Sequence, residues 1–163
     1  MLAPRITFLA EKKLLGHTLT MSLVQNKTFE LWSGFMPHLK QINNRVSEDL
    51  FSVQVFDSAY SFNPFNPTAE FAKWACTEVS DYPTDLGSFK PLTIAAGMYA
   101  VFIHKGPPSL APQTFGYIFN TWLPSSGYEL DHRPHFELLG AKYKNNHPES
   151  EEEVWIPIKE KVV

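Results

Sequence analysis

The sequence is short of cysteine, of basic charge and of long apolar stretches, and each shortage excludes a class of protein. A single cysteine, Cys76, excludes an internal disulfide framework and a zinc site built on cysteines. Its 14 Lys and Arg against 17 Asp and Glu leave no basic face for direct binding of nucleic acid. No apolar run approaches the roughly 20 residues of a membrane span, and the N-terminus becomes charged too soon for a secretory signal. We therefore expect a soluble, cytoplasmic protein with no direct membrane contact.

Apolar and aromatic side chains are what the chain has in quantity. Hydrophobic residues make up 44% of the 163 residues, enough for one core of ordinary size. Aromatic residues make up 14%, more than a plain structural domain requires. The six histidines have no spacing to carboxylates that is typical of a metal centre, so no metal and no cofactor are expected.

Two stretches of the chain follow one order of strand, helix, strand and strand. Alternating apolar and polar residues predict the strands, and helical spacing after Thr28 and Ser109 predicts two helices. The predicted strands are residues 5–22, 50–57, 71–79, 97–105, 128–130, 135–141 and 154–159.

Four pairs of landmarks are separated by the same 81 residues. They are Gly16 and Gly97, Thr28 and Ser109, Glu70 and Glu151, and Trp74 and Trp155. A shared offset on equivalent elements indicates a duplicated unit, with coincidence as the alternative because the halves are otherwise dissimilar. We expect an α+β fold in a single domain, residues 1–163, with one module over about 1–80 and another over about 88–163. Each module would place one helix on a shared antiparallel sheet.

Strand parity predicts which side chains share a face of that sheet. The apolar parity of Leu15, Leu19 and Met98 is expected to pack on the helices, and Val53 and Phe136 are assigned to the same side. The opposite face then collects aromatic rings, hydroxyls and one carboxylate: Thr18, Thr20, Phe56, Trp74, Tyr99, Glu137 and Trp155. This composition is typical of a small-molecule pocket, with a second core or a dimer interface as the alternative.

Glu137 interrupts an apolar strand, where burial of even a neutral polar group without a partner costs about 2–7 kcal/mol. Its counterpart 81 residues earlier is Phe56, so the repeat does not require a carboxylate there. Either Glu137 pairs with Arg133 or a nearby lysine, or it attracts a ligand cation among rings that each contribute about 0.5–2 kcal/mol.

The second half of the chain resembles the GyrI-like superfamily, which includes effector-binding domains of AraC-type and MerR-type bacterial transcription regulators. The similarity lies in residues 97–107, 117–130, 133–137 and 155–159. It implies two fused, pseudo-twofold related modules with a ligand groove between them. It also implies that Glu137 lies at the floor of this groove and meets cationic aromatic ligands. No helix-turn-helix is present, so a stand-alone member that does not bind DNA unaided is expected.

The expected function is multidrug-type binding of lipophilic, cationic aromatic compounds by Glu137 and aromatic walls. Such binding would serve transcriptional regulation through a protein partner, or sequestration of a toxin. The resemblance also allows a hydrolase of cyclopropane-bearing electrophiles, with Glu137 as general base and Tyr99 as hydrogen-bond donor. A DNA gyrase inhibitory protein follows from the family name alone.

Two further segments allow alternatives. Phe62 and Phe65, in the proline-asparagine loop at 61–67, either cover one end of the groove or hold the loop in place. The acidic run of Glu149 and Glu151–Glu153 is expected to form a solvated turn.

Overall fold

A computed structural model describes residues 3–62 and 64–162, and within them nine strands form one curled antiparallel sheet, a half-barrel. The strands are β1 (Arg5–Leu9), β2 (Lys12–Met21), β3 (Arg45–Val55), β4 (Phe71–Val79), β5 (Lys90–Ile94), β6 (Gly97–Lys105), β7 (Tyr128–Leu130), β8 (His135–Leu139) and β9 (Glu151–Glu160). Their order is β1-β6-β9-β8-β3-β4-β2-β5, and β7 pairs with β9.

Two helical segments accompany the sheet. The first is helix α1 (Thr28–Phe35) followed by a 3-10 turn at Met36–Gln41, where Pro37 lacks the backbone donor that a continuing α-helix needs. The second runs through a 3-10 turn at Pro108–Leu110, helix α2 (Ala111–Tyr117), a π-helical turn at Ile118–Trp122 and helix α3 (Leu123–Ser125).

The strand order reads the same from both ends when each strand is matched to its counterpart in the other half. β1 corresponds to β5, β2 to β6, β4 to β9 and β3 to β8, and β3 pairs with β8 at the centre. The first strand of each half crosses over, since β1 pairs with β6 and β5 pairs with β2. This is the predicted α+β fold of two pseudo-twofold related modules on one sheet.

The two faces of the sheet bury different clusters. On the helix face, α1 packs on β2 and β4 around Leu15 and Phe35, and the second helical segment packs on β6 and β9 around Phe102 and Ile118. The opposite face, here called the inner face, buries a cluster that joins Leu9 near one edge of the sheet to Ile94 near the other. Because both edges contribute to one cluster, the sheet must curl toward this side.

The predicted face of the two central strands is wrong. Val53 pairs directly with Trp74 and with Phe136, and Phe136 pairs with Trp155. Because directly paired residues share a face, Val53 and Phe136 lie on the inner face with the tryptophans. Both faces of β3 are buried near its end, so its hydrophobicity did not reveal which parity faces the helices.

Candidate functional site

The seven residues that were predicted to share one face lie on two. Thr18, Thr20, Trp74, Tyr99 and Trp155 have inner-face parity. Glu137 pairs with Ser52 and Val154 on the helix face, and Phe56 lies on that side as well, packed against Phe71 and His135. The prediction that all seven line one surface is therefore wrong.

The aromatic residues of the inner face form a filled core. The Tyr99 side chain is fully buried, its hydroxyl donates to the Pro134 carbonyl at 2.8 Å, and burial raises its pKa to about 12. The Trp155 ring stacks on the Phe136 ring with centroids 5.2 Å apart. The inner face is thus a second core, which was the alternative to a pocket. Tyr99 lies on the opposite side of the sheet from Glu137.

A strip of polar side chains runs along the helix face where the two modules meet, and we call it the polar floor. Cross-strand pairs join Gln54 to Lys73 and to His135, and Ser52 to Glu137. The members of the polar floor are Ser52, Gln54, Lys73, His135, Glu137 and Glu152. Helix α1 packs on β2 and β4, so other segments must cover the central strands.

Glu137 is buried without an ion pair. Gln54 Nε2 donates to its Oε1 at 3.3 Å, and none of the six ion pairs within 4 Å among the described residues includes it. Burial raises the pKa of Glu137 to about 7, against a smaller opposing effect of Lys73. Arg133 is not its partner, because that guanidinium bonds Asp131 at 2.8 Å and the Met98 carbonyl at 2.7 Å.

Rings close the helix face beside the polar floor. The Phe62 ring lies nearly parallel to the rings of Phe119 and His135, at centroid distances of 4.6 and 5.2 Å. Phe56 meets Phe62 and His135 edge-on, each at 4.9 Å. The aromatic cluster consists of Phe56, Tyr60, Phe62, Phe71, Phe119 and His135. The loop between β3 and β4 thus delivers Phe62 to the gap between the second helical segment and the floor.

His135 belongs to both the polar floor and the aromatic cluster. It is buried, and burial together with the charges of Arg133 and His132 lowers its pKa to about 3. The imidazole is therefore neutral near pH 7 and presents an uncharged ring to Phe62.

Glu152 is a residue of the polar floor that sequence reasoning assigned to the wrong environment. The acidic run was predicted to be a solvated turn. Glu149 does lie in an exposed turn, but Glu151–Glu153 begin β9, and Glu153 bonds both Arg5 and Trp155 on the inner face. Glu152 has the opposite parity and faces the helices, where burial raises its pKa. Alternation extended backward from Val154 would have placed it there.

The surface has two open depressions that Glu137 does not line. One of about 320 Å³ brings the predicted residues Thr20 and Phe56 together with Glu70. The other, about 330 Å³, lies between α1 and the start of β5 and is lined by His17, Glu30 and Lys90 among others.

Within residues 3–62 and 64–162, no three His, Cys, Asp or Glu side chains are grouped as a metal would require. None of the helices described is long and apolar enough to cross a membrane.

Solved structures of three other proteins share this fold across nearly the whole chain. SAV2435 bound to tetraphenylphosphonium matches with a TM-score of 0.75 at 17% identity, covering 97% of this chain and 94% of that one. The EcmrR C-terminal domain matches with 0.71 at 17% identity, covering 99% and 100%. An integron cassette protein of Vibrio cholerae matches with 0.67 at 14% identity, covering 96% of each chain.

At such identities these likenesses show the fold alone, and no curated protein matches the sequence. The sequence model of one family covers residues 2–159. The chain therefore belongs to the GyrI-like small-molecule binding domain family.

Proposed function

We propose that this protein binds lipophilic, cationic aromatic compounds on the polar floor, with Glu137 as the counter-charge and the aromatic cluster as the apolar wall. The observation that carries the proposal is a buried carboxylate that lacks an ion pair and lies beside a set of rings. Membership of a small-molecule binding family and the likeness to a protein bound to tetraphenylphosphonium support the same ligand class.

A cation on the floor stabilises the charged form of Glu137. Without a ligand, burial raises the pKa of this carboxyl to about 7, so both its protonated and its charged form occur near neutral pH. A bound cation lowers that pKa, and binding near pH 7 then releases a proton. Each ring that faces the cation adds about 0.5–2 kcal/mol.

An aromatic ligand has to displace Phe62. This ring already contacts Phe119 and His135 in the manner that a ligand ring would. Its loop connects the sheet's central strand β3 to β4, so the ring can leave without disturbing strand pairing. We infer that the ligand takes the place of Phe62, so that this ring covers the floor only while no ligand is bound.

The test compares a cation with a neutral compound of similar shape. Calorimetry with tetraphenylphosphonium and with triphenylphosphine oxide is carried out on the wild type, on Glu137→Gln and on Glu129→Gln, an exposed-pair control on β7. We expect Glu137→Gln to weaken binding of the cation at least tenfold, equivalent to about 1.4 kcal/mol, and to leave the neutral compound unchanged. Equal loss for both compounds would contradict a charge-recognising role.

A hydrolase remains the second candidate because a carboxyl with a pKa of about 7 suits a general base at neutral pH. Glu137 would activate water against a cyclopropane-bearing electrophile, without Tyr99, which lies across the sheet. Mass spectrometry decides between the two functions: product beyond one equivalent that disappears in Glu137→Gln supports catalysis, whereas unchanged ligand supports binding.

A further inference from the structure

The polar floor contains a second carboxylate next to Glu137. Glu137 pairs directly with Val154, and Glu152 lies two residues before Val154 on the same face of β9. Diagonal neighbours of this kind are about 7–8 Å apart, within reach of one ligand charge placed between two glutamate side chains.

Glu152 has a histidine neighbour that is hydrogen-bonded to other groups. Its cross-strand partner on β6 is His104, whose ring is buried and bonded at both nitrogens. Nε2 donates to the Pro107 carbonyl at 3.2 Å, and Nδ1 shares a hydrogen bond of 2.7 Å with the Thr114 hydroxyl. Both ring nitrogens of His104 are therefore occupied by partners other than Glu152.

Lys73 is the basic residue of the floor. It lies on β4 beside Gln54, the residue that bonds Glu137, so its flexible stem extends along the same strip. Its ammonium favours the charged form of both glutamates, although neither pair comes within 4 Å among the described residues. The floor then carries two negative charges and one positive charge when both carboxyls are ionised.

We propose that Glu152 is a second ligand-binding carboxylate and that Lys73 cancels one of the two negative charges, so that the floor selects ligands with one positive charge over ligands with two. This inference rests on the proposed function and adds to it the valence of the ligand. A monocation leaves the floor neutral, whereas a dication leaves one uncompensated charge in a poorly solvated place.

Ethidium and propidium make the matched probes, because they share one ring system and propidium carries an additional ammonium group. Fluorescence titrations at pH 8 compare the wild type with Lys73→Met and Glu152→Gln. Lys40→Met, at an exposed position, and Glu151→Gln, on the opposite face of β9, reproduce the same changes of net charge. Circular dichroism confirms that each variant is folded.

We expect Lys73→Met to shift the ratio of propidium to ethidium affinity at least fivefold toward the dication. Glu152→Gln should weaken ethidium at least fivefold, and both controls should leave the ratio unchanged. A constant ratio in Lys73→Met, or ethidium binding that is insensitive to Glu152→Gln, would overturn the inference even if Glu137→Gln abolished binding. If the wild type bound neither dye nor tetraphenylphosphonium, the proposed function itself would fail.

Discussion

The two faces of the central strands use buried residues in opposite ways. On the inner face, Phe136 and Trp155 pack ring against ring within a cluster of buried apolar side chains. On the helix face of the same strand, His135 and Glu137 are equally inaccessible but polar, and Glu137 has no ion-pair partner within 4 Å among the described residues. A filled apolar core marks the stable half of this comparison. A buried carboxylate without a counter-ion within 4 Å marks the half that can still bind a cation.

The difference follows from the symmetry of the fold. Each helical segment covers its own module, so the strip beside the pseudo-twofold axis is left to loops and side chains. Val53 and Phe136 pair with each other, and each pairs with one of the equivalent tryptophans. The central strands therefore correspond at an offset of 83 (53 to 136), which makes Gln54, and not Phe56, the counterpart of Glu137. The amide that bonds Glu137 is its uncharged copy in the other module.

Truncation on the inner face should produce the largest effect on stability. Phe136→Ala removes a side chain that is 1% exposed and contacts Phe51, Tyr99 and Trp155. We expect the free energy of unfolding to fall by about 3–5 kcal/mol, measured by urea denaturation. A loss below about 1 kcal/mol would mean that the inner face tolerates a cavity, and the contrast between a filled face and an open one would not hold.

Sequence reasoning predicted the secondary structure and the duplication better than it predicted the site. Alternation and helical spacing predicted the main strands and both helices, and the landmarks at a constant offset indicated the duplication. Each of these patterns is local or repeated, so it can be read without knowledge of which strands are neighbours. Strand β5 was not predicted because it is a short edge strand that contains Pro91.

The candidate site was less predictable for a physical reason. The face of a strand follows from alternation only when one side is polar, but β3 is buried on both sides and β8 begins with three buried residues. Cross-strand pairing decides the assignment, and pairing is a long-range property. Glu137 was singled out correctly as unusual, while its neighbours Lys73 and Glu152 are separated from it by 64 and 15 positions in the chain.

Neutralising Glu137 should raise the free energy of unfolding, whereas truncating Phe136 should lower it. The folded-state pKa is about 7 against an ordinary value of 4.5, so the folded protein binds more protons between these values and stability falls as the pH rises through them. Glu137→Gln removes this loss. We expect its free energy of unfolding to exceed that of the wild type by about 3 kcal/mol at pH 8, and to equal it below about pH 4.

The pH dependence of stability that His135 causes has the opposite sign to that of Glu137. The two contributions must be distinguished in that experiment. Its pKa of about 3, against 6.5 ordinarily, removes stability as the pH falls below about 6.5. Both proteins retain His135, so its contribution cancels in their difference. A gain for Glu137→Gln that does not vary with pH would indicate packing as its cause.

Phe62→Ala should change binding more than stability. The ring is half-buried and covers the floor, so its loss should cost about 1 kcal/mol of unfolding free energy, well below the cost for Phe136. Because the ligand no longer has to displace a ring, tetraphenylphosphonium should bind several-fold more tightly by calorimetry. Weaker binding would instead identify Phe62 as a permanent wall of the site.

The smallest effect is expected for Tyr99→Phe, which tests whether the sheet separates the two faces functionally. The substitution keeps the buried ring and removes only the hydroxyl that donates to the Pro134 carbonyl. A lost hydrogen bond of this kind costs about 1 kcal/mol of stability. Affinity for tetraphenylphosphonium, and any turnover of an electrophile, should be unchanged because the hydroxyl points away from the polar floor. A tenfold loss of either at unchanged melting temperature would restore Tyr99 to the site in which the sequence placed it, and would require the inner face to open on ligand binding.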